Sequence, residues 1–210
     1  LKKLALLATI SLLTFGKTYA QENPAMEKTE KGLRVKVNAL FIPVGMLNAG
    51  VEYQLSKKIT MQNDIFISPW KSFAGHEAQY YSTSVEGRYY FEEAFKHFFV
   101  GVNISAAKFV LQKWNYWNDN VYTNDKGETY VSSNLYQKGH SILFGLTAGY
   151  NFMLSERWNL ELYATAGTSQ DYYKGFDRTN GRRYDSATGY NKSGEVLPYR
   201  GGLMVTYKIK

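Results

Sequence analysis

The chain writes one hairpin twice. Ala49-Gly50-Val51-Glu52-Tyr53-Gln54-Leu55-Ser56-Lys57-Lys58-Ile59-Thr60-Met61-Gln62 runs almost in register with Ala148-Gly149-Tyr150-Asn151-Phe152-Met153-Leu154-Ser155-Glu156-Arg157-Trp158-Asn159-Leu160-Glu161. Each copy is an alternating strand, a tight polar turn and a second alternating strand. Alternation at period two places every second side chain on one face of a sheet. Such units following an export signal predict an all-β chain, a single antiparallel up-and-down transmembrane β-barrel of about eight strands.

The export signal is read from Leu1–Ala20. Lys2 and Lys3 form a basic start, Leu4–Phe15 is apolar, and Thr18-Tyr19-Ala20 offers small residues at the cleavage-determining positions. The apolar run is shorter than the roughly 20 residues a membrane helix needs. The expected organisation is a signal peptide at 1–20, a disordered leader at 21–33 with Pro24, and a barrel at 34–210. No later stretch is long and apolar enough for a membrane helix, as export of an outer-membrane barrel requires. The net charge of +7 falls to about +4 once Lys2, Lys3 and Lys17 leave with the signal. The remaining basic residues are scattered and no nucleic-acid motif accompanies them, so nucleic acid is not an expected partner. With no cysteine, disulfides, thiolate metal sites and a lipidated N-terminal Cys are excluded.

Period two marks eight strands: Arg34–Ile42, Leu47–Leu55, Ile59–Ser68, Tyr80–Phe91, Phe98–Phe109, Ser141–Leu154, Trp158–Ser169 and Tyr199–Ile209. One face of each is apolar, as in Ile142, Phe144, Leu146 and Ala148. Asn63 interrupts that face in the third strand. The other face is small or polar, as in Asn48, Gly50, Glu52 and Gln54. A soluble lipocalin-like barrel would turn the apolar face inward, and a membrane barrel would turn it outward to lipid. The outward choice is favoured on three grounds. The apolar face is continuous over most strands. Rings gather at the ends of the apolar face (Tyr53, Phe91, Phe98, Tyr150, Phe152, Trp158, Tyr207) as an interfacial girdle requires. The polar face carries charges that would be costly in an apolar calyx. Connections 56–58, 92–97 and 155–157 are short, whereas 112–140 and 172–198 are long, so the long loops are expected outside the cell. Pro43–Met46 is a short exception.

Several pieces together resemble a known family. They are Asn38-Ala39-Leu40, Asn48-Ala49-Gly50-Val51-Glu52, Pro69-Trp70, Glu86-Gly87-Arg88-Tyr89-Tyr90-Phe91, His97-Phe98-Phe99-Val100-Gly101, Leu154-Ser155-Glu156-Arg157-Trp158-Asn159-Leu160-Glu161 and the terminal Tyr207-Lys208-Ile209-Lys210. The chain resembles the domain-of-unknown-function 3575 family, outer-membrane β-barrels of Bacteroidetes-type bacteria, over roughly Val35 to the end. The resemblance implies a small secreted barrel with no assigned activity and a surface-structure context. The aromatic insertion Trp114–Leu135 and Ser68, where Asn commonly precedes Pro-Trp, depart from the family pattern.

Six charged residues share the polar face: Lys36, Glu52, Glu86, Arg88, Glu161 and Arg200. An eight-stranded barrel has an interior only wide enough for side chains, so these charges must pair. The expected arrangement is a salt-bridge plug, with Arg88 and Arg200 forking between Glu52, Glu86 and Glu161. The plug argues against a porin and against acid–base catalysis in the lumen. The candidate contact surface lies in the loops, in Trp114, Tyr116 and Trp117, with Arg182 and Arg183. The rings could meet a protein or glycan outside the cell, or form part of the outer girdle. The run Arg178, Arg182, Arg183 could meet anionic lipopolysaccharide or simply be solvated. Gly139-His140-Ser141 suggests a lipid esterase only weakly, because neighbours on a strand face opposite ways. Asp119, Asp125 and Glu128 lack calcium-loop spacing. The expectation is therefore a monomeric, non-enzymatic, integral outer-membrane barrel in contact with outer-membrane lipid and lipopolysaccharide, with no cofactor, metal or catalytic residue. The alternatives are a lipid A-modifying enzyme and a soluble ligand-binding barrel.

Overall fold

In a computed structural model of the protein, residues 32–185 and 191–209 are described. The stretch 1–20 expected to be a signal peptide and residues 21–31 of the expected leader lie outside them. Ten strands follow one another: β1 (Leu33–Asn38), β2 (Leu47–Gln54), β3 (Ile59–Ser68), β4 (Ala78–Tyr90), β5 (His97–Leu111), β6 (Val121–Thr123), β7 (Thr129–Val131), β8 (Leu135–Met153), β9 (Trp158–Asp177) and β10 (Asn191–Lys208). Eight of them close a barrel in the order β1-β10-β9-β8-β5-β4-β3-β2, and β6 and β7 form a separate hairpin inside the β5–β8 connection. All pairings are antiparallel, and the barrel closes where Arg34 meets Lys208 and Val37 meets Val205. Helical structure among the described residues is limited to one-turn 3-10 segments.

The two copies of the repeated hairpin fold by the same bonds. Ser56 Oγ accepts from the Lys58 and Ile59 amides, and Ser155 Oγ accepts from the Arg157 and Trp158 amides. The Leu55 and Ser56 amides donate to the Ile59 carbonyl, and the Leu154 and Ser155 amides donate to the Trp158 carbonyl. A short hydroxyl side chain that ties down its own turn is why Leu-Ser recurs at this place in both copies.

Strand limits differ from the sequence expectation most at the end of the first strand and at the long-loop ends of the last three barrel strands. The first strand stops at Asn38, not Ile42. Asn38 Oδ1 accepts from the Leu40 amide, Pro43 lies in a 3-10 turn over Ile42–Val44, and Gly45 closes that turn at φ 68°. Phe41 therefore leaves the ladder and packs edge-on against Phe66 with centroids 5.0 Å apart. The long connections are also shorter than expected. β8 begins at Leu135 rather than Ser141, and β9 continues to Asp177, pairing Leu135 with Asp177. β10 begins at Asn191, within the stretch expected to be a loop. Gly139 and Gly175 interrupt the apolar alternation there, yet the ladder continues through both. Backbone pairing with a neighbouring strand sustains it where side-chain pattern does not.

Polarity is arranged opposite to that of a soluble globule. Lys36, Glu52, Gln62, Asp64, Glu86, Arg88, Asn103, Asn151 and Glu161 are buried inside, while Val51, Val85, Val102, Ile104, Phe144, Leu146 and Leu162 are exposed on the outer wall. Asn63, expected to break that wall, donates its side-chain amide to the Ser84 carbonyl at 2.9 Å. The interior also holds a small apolar cluster of Tyr90, Ala94, Phe95, Phe99, Tyr163 and Met204. Gly149 makes room for it, since a Cβ there would lie 2.4 Å from the Phe99 ring.

Candidate functional site

β1, β2, β3, β4, β9 and β10 each bring inward-facing charges to the middle of the lumen. Lys36 Nζ pairs with Glu52, meets Glu161 Oε2 at 2.5 Å and donates to Gln62 Oε1 at 3.0 Å. Arg88 reaches Glu86 Oε1 through Nε at 2.5 Å. Through Nη1 it reaches both oxygens of Glu161 at 3.0 Å and Glu52 Oε2 at 3.3 Å. Its guanidinium lies 4.4 Å over the Phe99 ring, a cation–π contact. Arg200 Nη1 meets Glu86 Oε2 at 2.8 Å, and its Nη2 pairs with Asp64.

Neutral groups occupy the remaining lone pairs. Thr60 and Tyr90 donate to Glu52 Oε1 at 2.5 and 2.8 Å, and Asn151 donates to Glu161 at 3.2 Å. Thr147 donates to Glu86 at 2.7 Å, and Ser84 to Asp64 at 2.8 Å. Buried charges that lose water need such partners on every side.

The structure thus brings all six sequence-selected charges into one connected network. Arg200 differs from the expected fork: it grips Glu86 and Asp64, and the Glu52 and Glu161 carboxylates belong to Arg88 and Lys36. Asp64 was not anticipated, although it shares the parity of Thr60 and Gln62 on β3, which alternation alone marks as inward. Tyr199, whose hydroxyl donates to Asn103 at 2.9 Å, and Tyr90 are further members that strand parity makes legible.

The loop residues separate. Trp114 is 82% exposed and Trp117 57% exposed. The Trp117 indole stacks on His76 with centroids 4.2 Å apart and planes within 6°. Tyr116 is not part of that surface, because it turns toward Tyr184. Tyr184, a residue absent from the sequence expectation, is the hub of the loop cap: Tyr116, Tyr122 and Tyr130 ring it at 6.2, 5.6 and 6.2 Å. Gln137 of β8 donates to its hydroxyl. Burial pushes the Tyr184 hydroxyl well above the ordinary tyrosine range.

The arginine run is partly neutralised by neighbouring acids. Arg183 Nε meets Asp185 at 2.6 Å, and Arg178 Nε lies 3.7 Å from Glu77, while Arg182 is exposed. His140 faces outward and is exposed, whereas Ser141 is buried inside, so the two form no dyad. Among the described residues no cluster of His, Cys, Asp or Glu is arranged to hold a metal.

The family described as "Protein of unknown function (DUF3575)" matches residues 7–209. That span covers nearly the whole chain and contains every strand of the barrel and every member of the charge network. The chain belongs to the DUF3575 family. No curated protein matches it. This DUF3575 protein offers two sets of polar and aromatic groups, the ionic lumen of its barrel and the rings of its loops.

Proposed function

We propose that this protein is an integral outer-membrane β-barrel that acts without enzymatic chemistry, as a structural or surface-interaction protein working through its long loops. The observation that carries this reading is the inverted polarity. A wall of exposed apolar side chains, with Leu146 69% and Leu162 54% exposed, surrounds an ionic interior. In water such a wall would be a large aggregation-prone patch. In lipid it is the expected outer surface of a membrane barrel. Rings at the short-turn rim fit an interfacial girdle: Trp158 packs on Tyr207 at 4.8 Å, and Phe98 on Tyr150 at 4.7 Å.

Strand length adds to this. The 20 residues of β9 extend roughly 65 Å, whereas a membrane's apolar band is about 25 Å tall. The long-loop ends of β8 and β9 would project well beyond the lipid and carry Trp114 and Trp117 to the cell surface. A lumen filled by Arg88, Tyr90, Lys36 and Glu161 favours an anchor over a pore. The soluble-barrel alternative needs an apolar calyx, and this interior is ionic.

The test is electrophoresis of an outer-membrane fraction with and without boiling. A detergent-extracted band that migrates faster before boiling is expected. Recovery in the aqueous fraction, with no heat-dependent shift, would overturn the membrane assignment.

A further inference from the structure

The outer wall is basic on one side and at one end. On β5, β8 and β9 the outward side chains run from rings and aliphatics at the short-turn end to Lys108, Lys138, His140 and Lys174 at the long-loop end. No outward position of these strands, or of β4 beside them, holds an acid. The outward positions of β1, β2 and β3 hold no charge.

Strand register gathers the four basic residues. Lys108 is the cross-strand partner of His140, and Lys138 is the partner of Lys174. The second pair stands one outward position beyond the first. Side chains directly opposite on a sheet have Cβ atoms about 4.5–5.5 Å apart, and diagonal neighbours about 7–8 Å. All four are exposed. Among the described residues no ion pair joins Lys108, Lys138 or Lys174 to an acid. Like charges directly opposite one another destabilise a sheet, and an anion between Lys138 and Lys174 would relieve them.

The patch has a defined height. From Phe98, whose ring packs on Tyr150 at the short-turn rim, up to Lys108, about ten residues of a strand tilted by about 40° rise roughly 25 Å, the height of a membrane's apolar band. Lys108 and His140 thus fall where that band would end, and Lys138 and Lys174 stand just beyond it. Rings mark the same level: Tyr81 is opposite Lys108, and Tyr172 packs on His140 at 5.3 Å. Below the patch Ile142 and Phe144 are exposed on the wall. Above it Tyr136 stacks on Phe176 at 5.8 Å.

General anchoring to a bilayer would call for cations at both ends of the wall. The outward strand positions at the short-turn end hold rings instead, among them Phe98, Tyr150 and Trp158. We propose that the patch binds a phosphorylated glycolipid of the outer leaflet. Its acyl chains would lie on Ile142 and Phe144, its phosphate between Lys108, Lys138 and Lys174, and its sugar against Tyr136 and Phe176. The proposal rests on the membrane reading above and names the lipid that reading leaves open.

The test uses the full chain folded in detergent, with its heat-dependent gel shift checked first. Monophosphoryl lipid A, the same lipid stripped of its phosphate, and inorganic phosphate are titrated separately, and bound lipid is counted by native mass spectrometry. Saturable binding is expected for the phosphorylated lipid, about tenfold or more tighter than for the stripped one, and equimolar inorganic phosphate should not displace it. At about fivefold per lysine, Lys108→Gln should weaken binding about fivefold and the Lys138→Gln/Lys174→Gln pair about 25-fold. Both should keep the gel shift. Lys57→Gln, at an exposed lysine of the opposite rim, should bind as the parent does. If the double variant does not fold, the Lys108→Gln titration carries the same decision. A parent that shows the gel shift but binds both lipids equally would overturn this site and leave the membrane barrel standing. So would displacement by equimolar phosphate, full binding by the variants, or an equal loss in Lys57→Gln. A parent without the gel shift would overturn the membrane reading and this proposal with it.

Discussion

The middle of the lumen and the cap of loops above it both bury polar side chains, but they are held in different ways. In the lumen, six strands contribute ionic groups, and each carboxylate has several donors: Glu52 alone meets Lys36, Arg88, Thr60 and Tyr90. The partners come from rungs of one continuous ladder, so the backbone presets their spacing. In the cap, tyrosines from three segments converge on the single ring of Tyr184. Its hydroxyl is fixed by Gln137, whose own Oε1 finds no partner. The lumen is redundant and strand-borne, whereas the cap depends on one residue held by tertiary contact. Damage to the lumen should therefore register in the whole fold, and damage to the cap should remain local.

The largest effect expected is from Arg88→Ala. It would leave Glu52, Glu86 and Glu161 facing one another with one cation fewer, and breaking a buried ionic pair costs about 3–5 kcal/mol. Urea unfolding of the folded barrel should show a loss of that size. An unchanged midpoint would mean that the network contributes no net stability and that packing alone holds the lumen. The outer wall provides the contrast within a single strand. Glu161 is buried inside, and its neighbour Leu162 is 54% exposed outside. Leu162→Arg should cost about 2–4 kcal/mol in lipid. Near-neutrality of that change would show that the wall faces water.

The same contrast explains what could be read in advance. Parity is a local property, so once the repeated hairpin fixed which face of each strand was polar, Lys36, Glu52, Glu86, Arg88, Glu161 and Arg200 had to share one lumen. Asp64 follows from the same parity on β3. Which cation meets which acid was less legible, because it depends on the relative register of strands far apart in sequence, such as Arg200 with Asp64. The cap was the least legible. Tyr184 lies outside any alternating run, and nothing near it in sequence indicates that Tyr116, Tyr122 and Tyr130 will gather round it. The packing at the short-turn mouth was hidden for a related reason. Phe95 sits in a short turn at φ 69°, and only the closed barrel shows that its ring folds over Arg34.

The cap should respond to Tyr184→Phe with a loss of roughly 1–3 kcal/mol, the cost of leaving Gln137 unsatisfied. Limited proteolysis of the 112–134 loop would detect it, while the barrel's unfolding midpoint should stay nearly constant. High pH should act on the same residue. Burial raises the Tyr184 pKa in the folded protein, so its contribution to stability is complete below the unfolded tyrosine value of about 10 and fades as pH rises above it. The loop should become protease-sensitive in that alkaline range in the parent but show no such added change in the phenylalanine variant. Concerted loss of barrel and cap would refute the separation between them.

The smallest stability effect is expected at Trp114. Its indole is 82% exposed, and substitution of a surface side chain away from special features shifts stability by less than about 0.5 kcal/mol. Trp114→Ala should therefore unfold with the parent. A residue that contributes little to the fold yet exposes a large ring carries an aggregation risk, which a binding role would offset, since exposed aromatics of this kind dominate contact energies. If the loops act at the cell surface as proposed, cross-linking of the protein to its surroundings there should drop in Trp114→Ala and Trp117→Ala cells against the parent. The Trp117 variant should also disturb His76, its stacking partner, so the Trp114 variant is the cleaner reading. Unchanged cross-linking in both would return these rings to a purely structural role at the rim.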